Sequence, residues 1–183
     1  MNKTVKWAII IVLILGVGVF GLFKYMQTQT KKHSPEETVT FNQGETELSI
    51  TYSRPYKKGR DIFGGLIPYG QVWRTGANEA TVFKTNKDLS IGDKTLKAGK
   101  YTLWTIPNEN EWAVIFNDKM YGWGVGYGGV PSRNPEYDAV TINVPVETLP
   151  TFLEQFTIAF EENEDVYLTF SWDQTKVKVP ILK

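Results

Sequence analysis

The sequence predicts an all-β domain, an antiparallel sandwich or flattened barrel, preceded by a single N-terminal transmembrane helix. Three observations carry this. An apolar run from Trp7 to Phe23 opens the chain without a charged side chain in it. After it, short stretches of alternating apolar and polar residues recur at about 8–12-residue spacing between Gly, Pro, Asn and Asp turns, which is strand grammar. Aromatic residues reach 14%, and with β-branched residues they recur in those stretches, where side chains suited to a pleated, half-buried surface belong.

The apolar run sits between Lys3/Lys6 and Lys24, and Tyr25 and Met26 extend it, so at helical rise it reaches the length that spans a hydrocarbon core. A cleaved signal peptide is the competing reading. Such peptides end a shorter apolar core in small residues, whereas Gly16, Gly18 and Gly21 lie inside this run. Lys3, Lys6 and the terminal amine favour a cytoplasmic N-terminus. The organisation expected is a cytoplasmic tail over 1–6, an anchor over 7–26 that partners the lipid bilayer through Trp7–Phe23, a polar stalk over 27–37 containing Pro35, and a β domain over 38–183. That domain is then extracytoplasmic, in the periplasm or at the cell surface.

Strands follow in order. Glu45 to Ser53 alternates through Leu48, Ile50 and Tyr52, and Ala80 to Thr85 is a second short strand. Leu89–Ile91, a Gly92-Asp93 turn and Thr95-Leu96 read as a hairpin, and Lys100 to Ile106 as a strand stopped by Pro107. In Glu111 to Phe116, Trp112, Val114 and Phe116 share one face and Ala113 and Ile115 the other, so the strand is apolar on both sides and central. Ala139–Val146, Phe156–Phe160, Val166–Trp172 and Lys176–Ile181 continue the pattern, with turns at 161–165 and 173–175. Thr148-Leu149-Pro150-Thr151 reads as the start of a short helix running to Gln155, alone outside the anchor.

Inventory narrows the chemistry. The chain has no cysteine and one histidine, His33, which falls in the stalk. A disulfide framework, a thiolate nucleophile, a lipid-modified cysteine, a histidine general base in the domain and a His/Cys metal site are therefore excluded, and no cofactor or metal motif is present. The chain balances 20 basic against 20 acidic residues, but Lys3, Lys6, Lys24, Lys31 and Lys32 flank the anchor, which leaves the rest acidic by five. That balance argues against nucleic acid as a partner.

Two stretches do not read as strands. Ser53 to Glu79 is long, irregular and too rich in Trp, Tyr, Phe, Leu and Ile to be disordered, so a packed rim or lid is expected. It holds three of the chain's four arginines, Arg54, Arg60 and Arg74, either for recognition of a carboxylate or for internal bracing against Asp61 or Glu79. Tyr121 to Gly129 alternates Gly122, Gly124, Gly126 and Gly128 with Trp123, Val125 and Tyr127, leaving one face bare for close approach of a backbone or flat ligand. Its G-x-G-x-G-G string lacks the following helix of a dinucleotide site, and a bulged crossover is the plainer reading.

Within the first stretch, Gly59-Arg60-Asp61-Ile62-Phe63-Gly64-Gly65-Leu66-Ile67-Pro68-Tyr69-Gly70, followed by Val72-Trp73-Arg74-Thr75-Gly76-Ala77-Asn78-Glu79-Ala80, resembles the signature of the bacterial domain-of-unknown-function 2911 family. The resemblance continues through Leu96–Tyr101, Thr105-Ile106-Pro107, Trp112–Asn117 and Trp123-Gly124. It implies a secreted or envelope protein and brings no activity with it. The chain departs from the pattern in having Arg54 where a second proline is expected, and in an N-terminal segment that reads as retained.

The site residues expected are Arg60, Trp73, Arg74, Asn78 and Glu79. Arg74 would grip an anionic or polyhydroxylated group, Asn78 would supply amide hydrogen bonds, and Glu79 would orient Arg74 or act as a base. The function expected is a binding module for a carbohydrate-like or small anionic ligand, or for an envelope protein, with no catalytic residue assigned. One alternative is a glycosidase-like hydrolase using Glu79 and Asp61; another is a purely structural assembly protein. Trp112 and Trp172 belong to the core by strand alternation, whereas Trp73 and Trp123 are placed for a cleft. Converging Arg74, Asn78 and Glu79 in an open pocket would favour a ligand, and a closed Arg74–Glu79 pair would favour scaffolding.

Overall fold

A computed structural model describes residues 2–182, and the chain divides between His33 and Ser34 into two compact units. The first is helix α1, Lys3–His33. Its most apolar 18-residue stretch has a mean hydropathy of 2.5, long and apolar enough to cross a membrane as an anchor or a signal sequence. The helix continues through Gln27–His33, the polar stretch read as a stalk. Lys31, Lys32 and His33 occupy its last turn, where cations complement the helix dipole, and Pro35 turns its predecessor away from helical geometry.

The second unit is the β domain. Its strands are β1 Glu36–Gln43, β2 Thr46–Ser53, β3 Val82–Thr85, β4 Leu89–Ile91, β5 Lys94–Leu96, β6 Gly99–Pro107, β7 Glu111–Asn117, β8 Asp138–Glu162 and β9 Val166–Leu182. Seven of them form one antiparallel sheet in the order β1-β2-β3-β6-β7-β8-β9, and β4-β5 is a separate hairpin. The β4-β5 turn places Gly92 at φ 62 as its first central residue, a position that glycine takes without steric cost.

The sheet curls into a half-barrel. Beyond the end of β2, Tyr56 bridges to Gln155 of β8, and Phe156 donates its backbone N–H to the Pro55 carbonyl at 3.0 Å. Phe41 of β1 and Phe160 of β8 meet with ring centroids 5.7 Å apart. Arg54 braces the same closure: it pairs with Glu37 at 2.8 Å and donates to the Phe156 carbonyl at 3.1 Å.

The concave side holds the main core, with Ile50, Phe83, Leu103, Val114, Leu168 and Phe170 fully buried. An aromatic cluster fills one end. Trp73 stacks on Trp172 at 6.1 Å and 20°, and Phe63 meets Trp112 at 4.7 Å and 62°. Trp112 and Trp172 are both buried, as their alternation indicates. The opposite face of β6 and β7 carries a second small core of Trp104 and Ile115 under Ala80, Val72 and Tyr121. β7 is apolar on both faces because both are covered.

The segment over 148–155 corrects the sequence reading, because it is strand and not helix. β8 runs without a break from Asp138 to Glu162, and register slips between Thr148 and Leu153 and between Leu153 and Thr157 mark its bend. β8 leaves β7 after Pro145 and pairs with β9 from Val146; the bulges then bend this ladder onto the first part of β9, and Pro150, which has no N–H to donate, falls where the ladder is interrupted. The turn expected at 173–175 is likewise a bulge within β9, with Asp173 at φ 54 opposite Leu153. β1 starts at Glu36, where the sequence showed only two apolar positions, Val39 and Phe41.

A cleft between the two irregular segments

Between β2 and β3 the chain makes only isolated bridges, and one of them fixes the site. Trp73 and Thr105 of β6 exchange backbone hydrogen bonds of 2.7 and 2.9 Å, which pins residues 72–74 to the sheet. The next residues form a tight knot. Thr75 and Asn78 take positive φ values of 56 and 55, and Gly76 sits at φ 152, with the Ser53 carbonyl 3.0 Å from where a Cβ would be. Hydrogen bonds supply the constraint that such geometry requires: Thr81 donates its hydroxyl to the Thr75 carbonyl at 2.6 Å, and the Trp73 indole donates to the Gly76 carbonyl at 3.0 Å.

The knot turns Arg74 toward the second irregular segment, where its guanidinium donates to the Trp123 carbonyl at 3.2 Å. Burial holds the Arg74 pKa below its ordinary value, and the nearby Glu79 carboxylate, which has one oxygen buried, partly offsets this. Gly124 makes the approach feasible: a Cβ there would lie 3.1 Å from the Ala80 Cβ and 3.3 Å from the Arg74 Cβ. The bare side of the glycine run is thus filled at Gly124 by the protein's own Arg74 and Ala80. The Ala80 N–H also donates to the Gly122 carbonyl at 3.0 Å.

A cleft of about 250 Å³ opens where the segments meet, lined by Leu66, Pro68, Gln71, Arg74, Val125 and Pro131 among others. It is mostly apolar with few polar groups, the usual composition of a small-ligand site. Beyond it, a tight 3-10 turn at Tyr127–Gly129 leaves the Tyr127 side chain fully exposed.

The expected site residues divide. Arg74 lines the cleft, and Trp73 contributes to it while its ring packs in the aromatic core. Asn78 is buried and donates its side-chain amide to the Ser34 carbonyl at 3.1 Å, so it ties the knot to the domain's first residue. Arg60 is exposed and donates to the carbonyls of Lys57 and Tyr56, closing its own turn. Neither Arg60, Asn78, Glu79 nor Asp61 lines the cleft.

Sequence reasoning passed over Arg133, the remaining arginine. It grips the Asp138 carboxylate with two nitrogens, one of them at 3.0 Å, while Asn117 donates to the same carboxylate at 2.8 Å and to the Asn134 carbonyl at 2.9 Å. The signal available was the Arg133/Asp138 spacing around Pro135, a pairing of the kind that closes a loop. Among the described residues, no three His, Asp or Glu side chains gather closely enough to hold a metal ion.

Comparison with curated proteins and with solved structures returns no match. The family model described as "Protein of unknown function (DUF2911)" matches residues 34–181, which is the whole β domain to within two residues of its end. The chain therefore belongs to the DUF2911 family of proteins of unknown function.

Proposed function

We propose that this is a membrane-anchored binding module whose β domain lies outside the cytoplasm and takes a carbohydrate-like ligand in the cleft between residues 66–76 and 125–131. The observation that carries this reading is the convergence of both irregular segments on one cleft with Arg74 in its wall. A volume of about 250 Å³ suits a single sugar ring or one side chain of a partner, with the apolar lining against a ring face and with Gln71 and Arg74 for its polar edge. The positively flanked α1, with the N-terminus held in the cytoplasm, supplies the anchor.

The structural alternative draws on a different observation. Glu79 and the Trp123 carbonyl already engage Arg74, so the arginine also fastens one segment to the other. The hydrolase alternative has less support, since Asp61 is exposed and neither carboxylate lines the cleft.

Thermal shift of the domain from Ser34 onward, against envelope sugars, sugar acids and short peptides, separates these readings when run beside Gln71→Ala. Gln71 is exposed, so its loss leaves the fold intact. A shift with one ligand class that shrinks in Gln71→Ala supports the cleft. No shift with any of them, or a shift that Gln71→Ala leaves unchanged, removes the cleft as a ligand site.

A further inference from the structure

On the convex face of the sheet, well-defined register places four polar residues in one row: Thr40 opposite Ser49, Ser49 opposite Lys84, and Lys84 opposite Lys100. Their neighbours along each strand point inward, with Leu48, Ile50, Phe83, Thr85 and Tyr101 buried, so the row faces solvent. Two lysines directly opposite each other on paired strands repel. The surrounding lysines are provided for: Lys87 pairs with Glu45 at 2.8 Å, and Lys97 with Asp88 at 2.9 Å. Among the described residues, Lys84 and Lys100 have no ion-pair partner.

Protection of a sheet edge does not explain them. Exposed edges commonly carry lysine to block aggregation, but β3 lies between β2 and β6, and β6 between β3 and β7. The row lines a groove of about 610 Å³, which also contains Asn42, Glu47 and Asn86. Glu47 is the only carboxylate there, one rung further along β2, and Asn86 accepts its backbone N–H at 2.8 Å. Two ammonium groups therefore face one carboxylate, in a domain that is acidic elsewhere.

We propose that this groove binds a phosphate ester of a small polyol or sugar, with the phosphate between Lys84 and Lys100 and the hydroxylated part along Ser49 and Thr40. At about 4.8 Å between strands the row spans about 14 Å, room for a phosphate and a short polyol. A tetrahedral dianion offers several acceptor oxygens, and lysine ammoniums bind it as point charges. The domain's acidic balance selects a small ester over a long polyanion, which the rest of the surface repels.

Calorimetric titration of the full chain in a neutral detergent with glycerol phosphate, inorganic phosphate and glycerol tests this. Glycerol phosphate binds, inorganic phosphate binds more weakly and glycerol does not; Lys84→Gln and Lys100→Gln each weaken glycerol phosphate by about fivefold or more. In the absence of ligand, Lys100→Gln raises the Tm at low salt, because it relieves the repulsion. Failure of glycerol phosphate to bind, binding that either lysine variant leaves unchanged, or a lower Tm for Lys100→Gln overturns the proposal. Equal affinity for glycerol phosphate and inorganic phosphate overturns the role of Ser49 and Thr40.

Discussion

Arg74 donates to the backbone carbonyl of Trp123 at 3.2 Å across 49 residues of sequence, and this hydrogen bond joins the two long irregular segments of the domain. Both the cleft and its alternative depend on it. The same arginine is partly buried with Glu79 acting on it, so its loss leaves a carboxylate deprived of its counter-charge.

Arg74→Ala is expected to lower stability by about 2–3 kcal/mol, less than the loss of a fully buried pair because the arginine is only partly buried. A double-mutant cycle with Glu79→Ala measures the coupling between them by denaturant unfolding. If the single losses add without coupling, the pair does not act as a unit.

Gly124→Ala separates the filled glycine from the open ones. Its Cβ would press on Ala80 and Arg74 at a backbone φ of 75, whereas nothing lies within 4 Å of a Cβ at Gly122. The cost expected is about 2–3 kcal/mol for Gly124→Ala, against less than about 1 kcal/mol for Gly122→Ala, read as unfolding midpoints. Equal effects would mean that the close approach to Arg74 is not tight.

Asn78 combines a left-handed backbone with a side-chain hydrogen bond to Ser34. Asn78→Ala loses both and is expected to cost about 2 kcal/mol, while Asn78→Gly keeps the backbone geometry and costs about 1 kcal/mol. The order of the two melting temperatures checks this, and a reversed order contradicts it.

Tyr52 gives a pH dependence. Its hydroxyl accepts from the Ile158 N–H at 2.9 Å inside the barrel closure, and burial pushes its pKa well above the ordinary 10.0. A phenol whose folded pKa is raised contributes stability that is fully present below its unfolded pKa and is lost as pH rises beyond it. Stability is therefore expected to hold up to about pH 10 and fall above it, in part through Tyr52. Tyr52→Phe flattens that decline and, by leaving the Ile158 N–H without its acceptor, costs about 1–3 kcal/mol at neutral pH. Alkaline melts of both proteins that fall in parallel would exclude Tyr52 as a source.

Legibility of the sequence followed physical locality. The Trp112/Val114/Phe116 and Ala113/Ile115 faces of β7, the Gly92-Asp93 hairpin and the irregular Ser53–Glu79 segment are written in adjacent residues, and each formed as read. The bend of β8 was not readable, because Leu149-Pro150 satisfies helix-start rules locally and only the β9 partner, supplied through bulges, makes it a strand. β1 was hidden by polarity, since its outer face is solvated and its inner face carries Glu37 beside just two apolar residues, Val39 and Phe41. At the site, Arg74 and the glycine run were each visible as unusual, but their contact is a matter of tertiary closure. Arg54 and Arg60 read alike with Arg74, yet the fold uses them to brace β1–β8 and to close a turn.

The most direct test of the cleft is amide chemical-shift mapping on the isotope-labelled domain, titrated with envelope sugars. Perturbations concentrated in Leu66–Gly76 and Val125–Val130 are the result expected if the ligand enters between the two segments. Saturable perturbations confined to any other surface, or none at sugar concentrations that saturate ordinary lectin sites, would contradict the central claim and leave Arg74 as the fastening between the two segments.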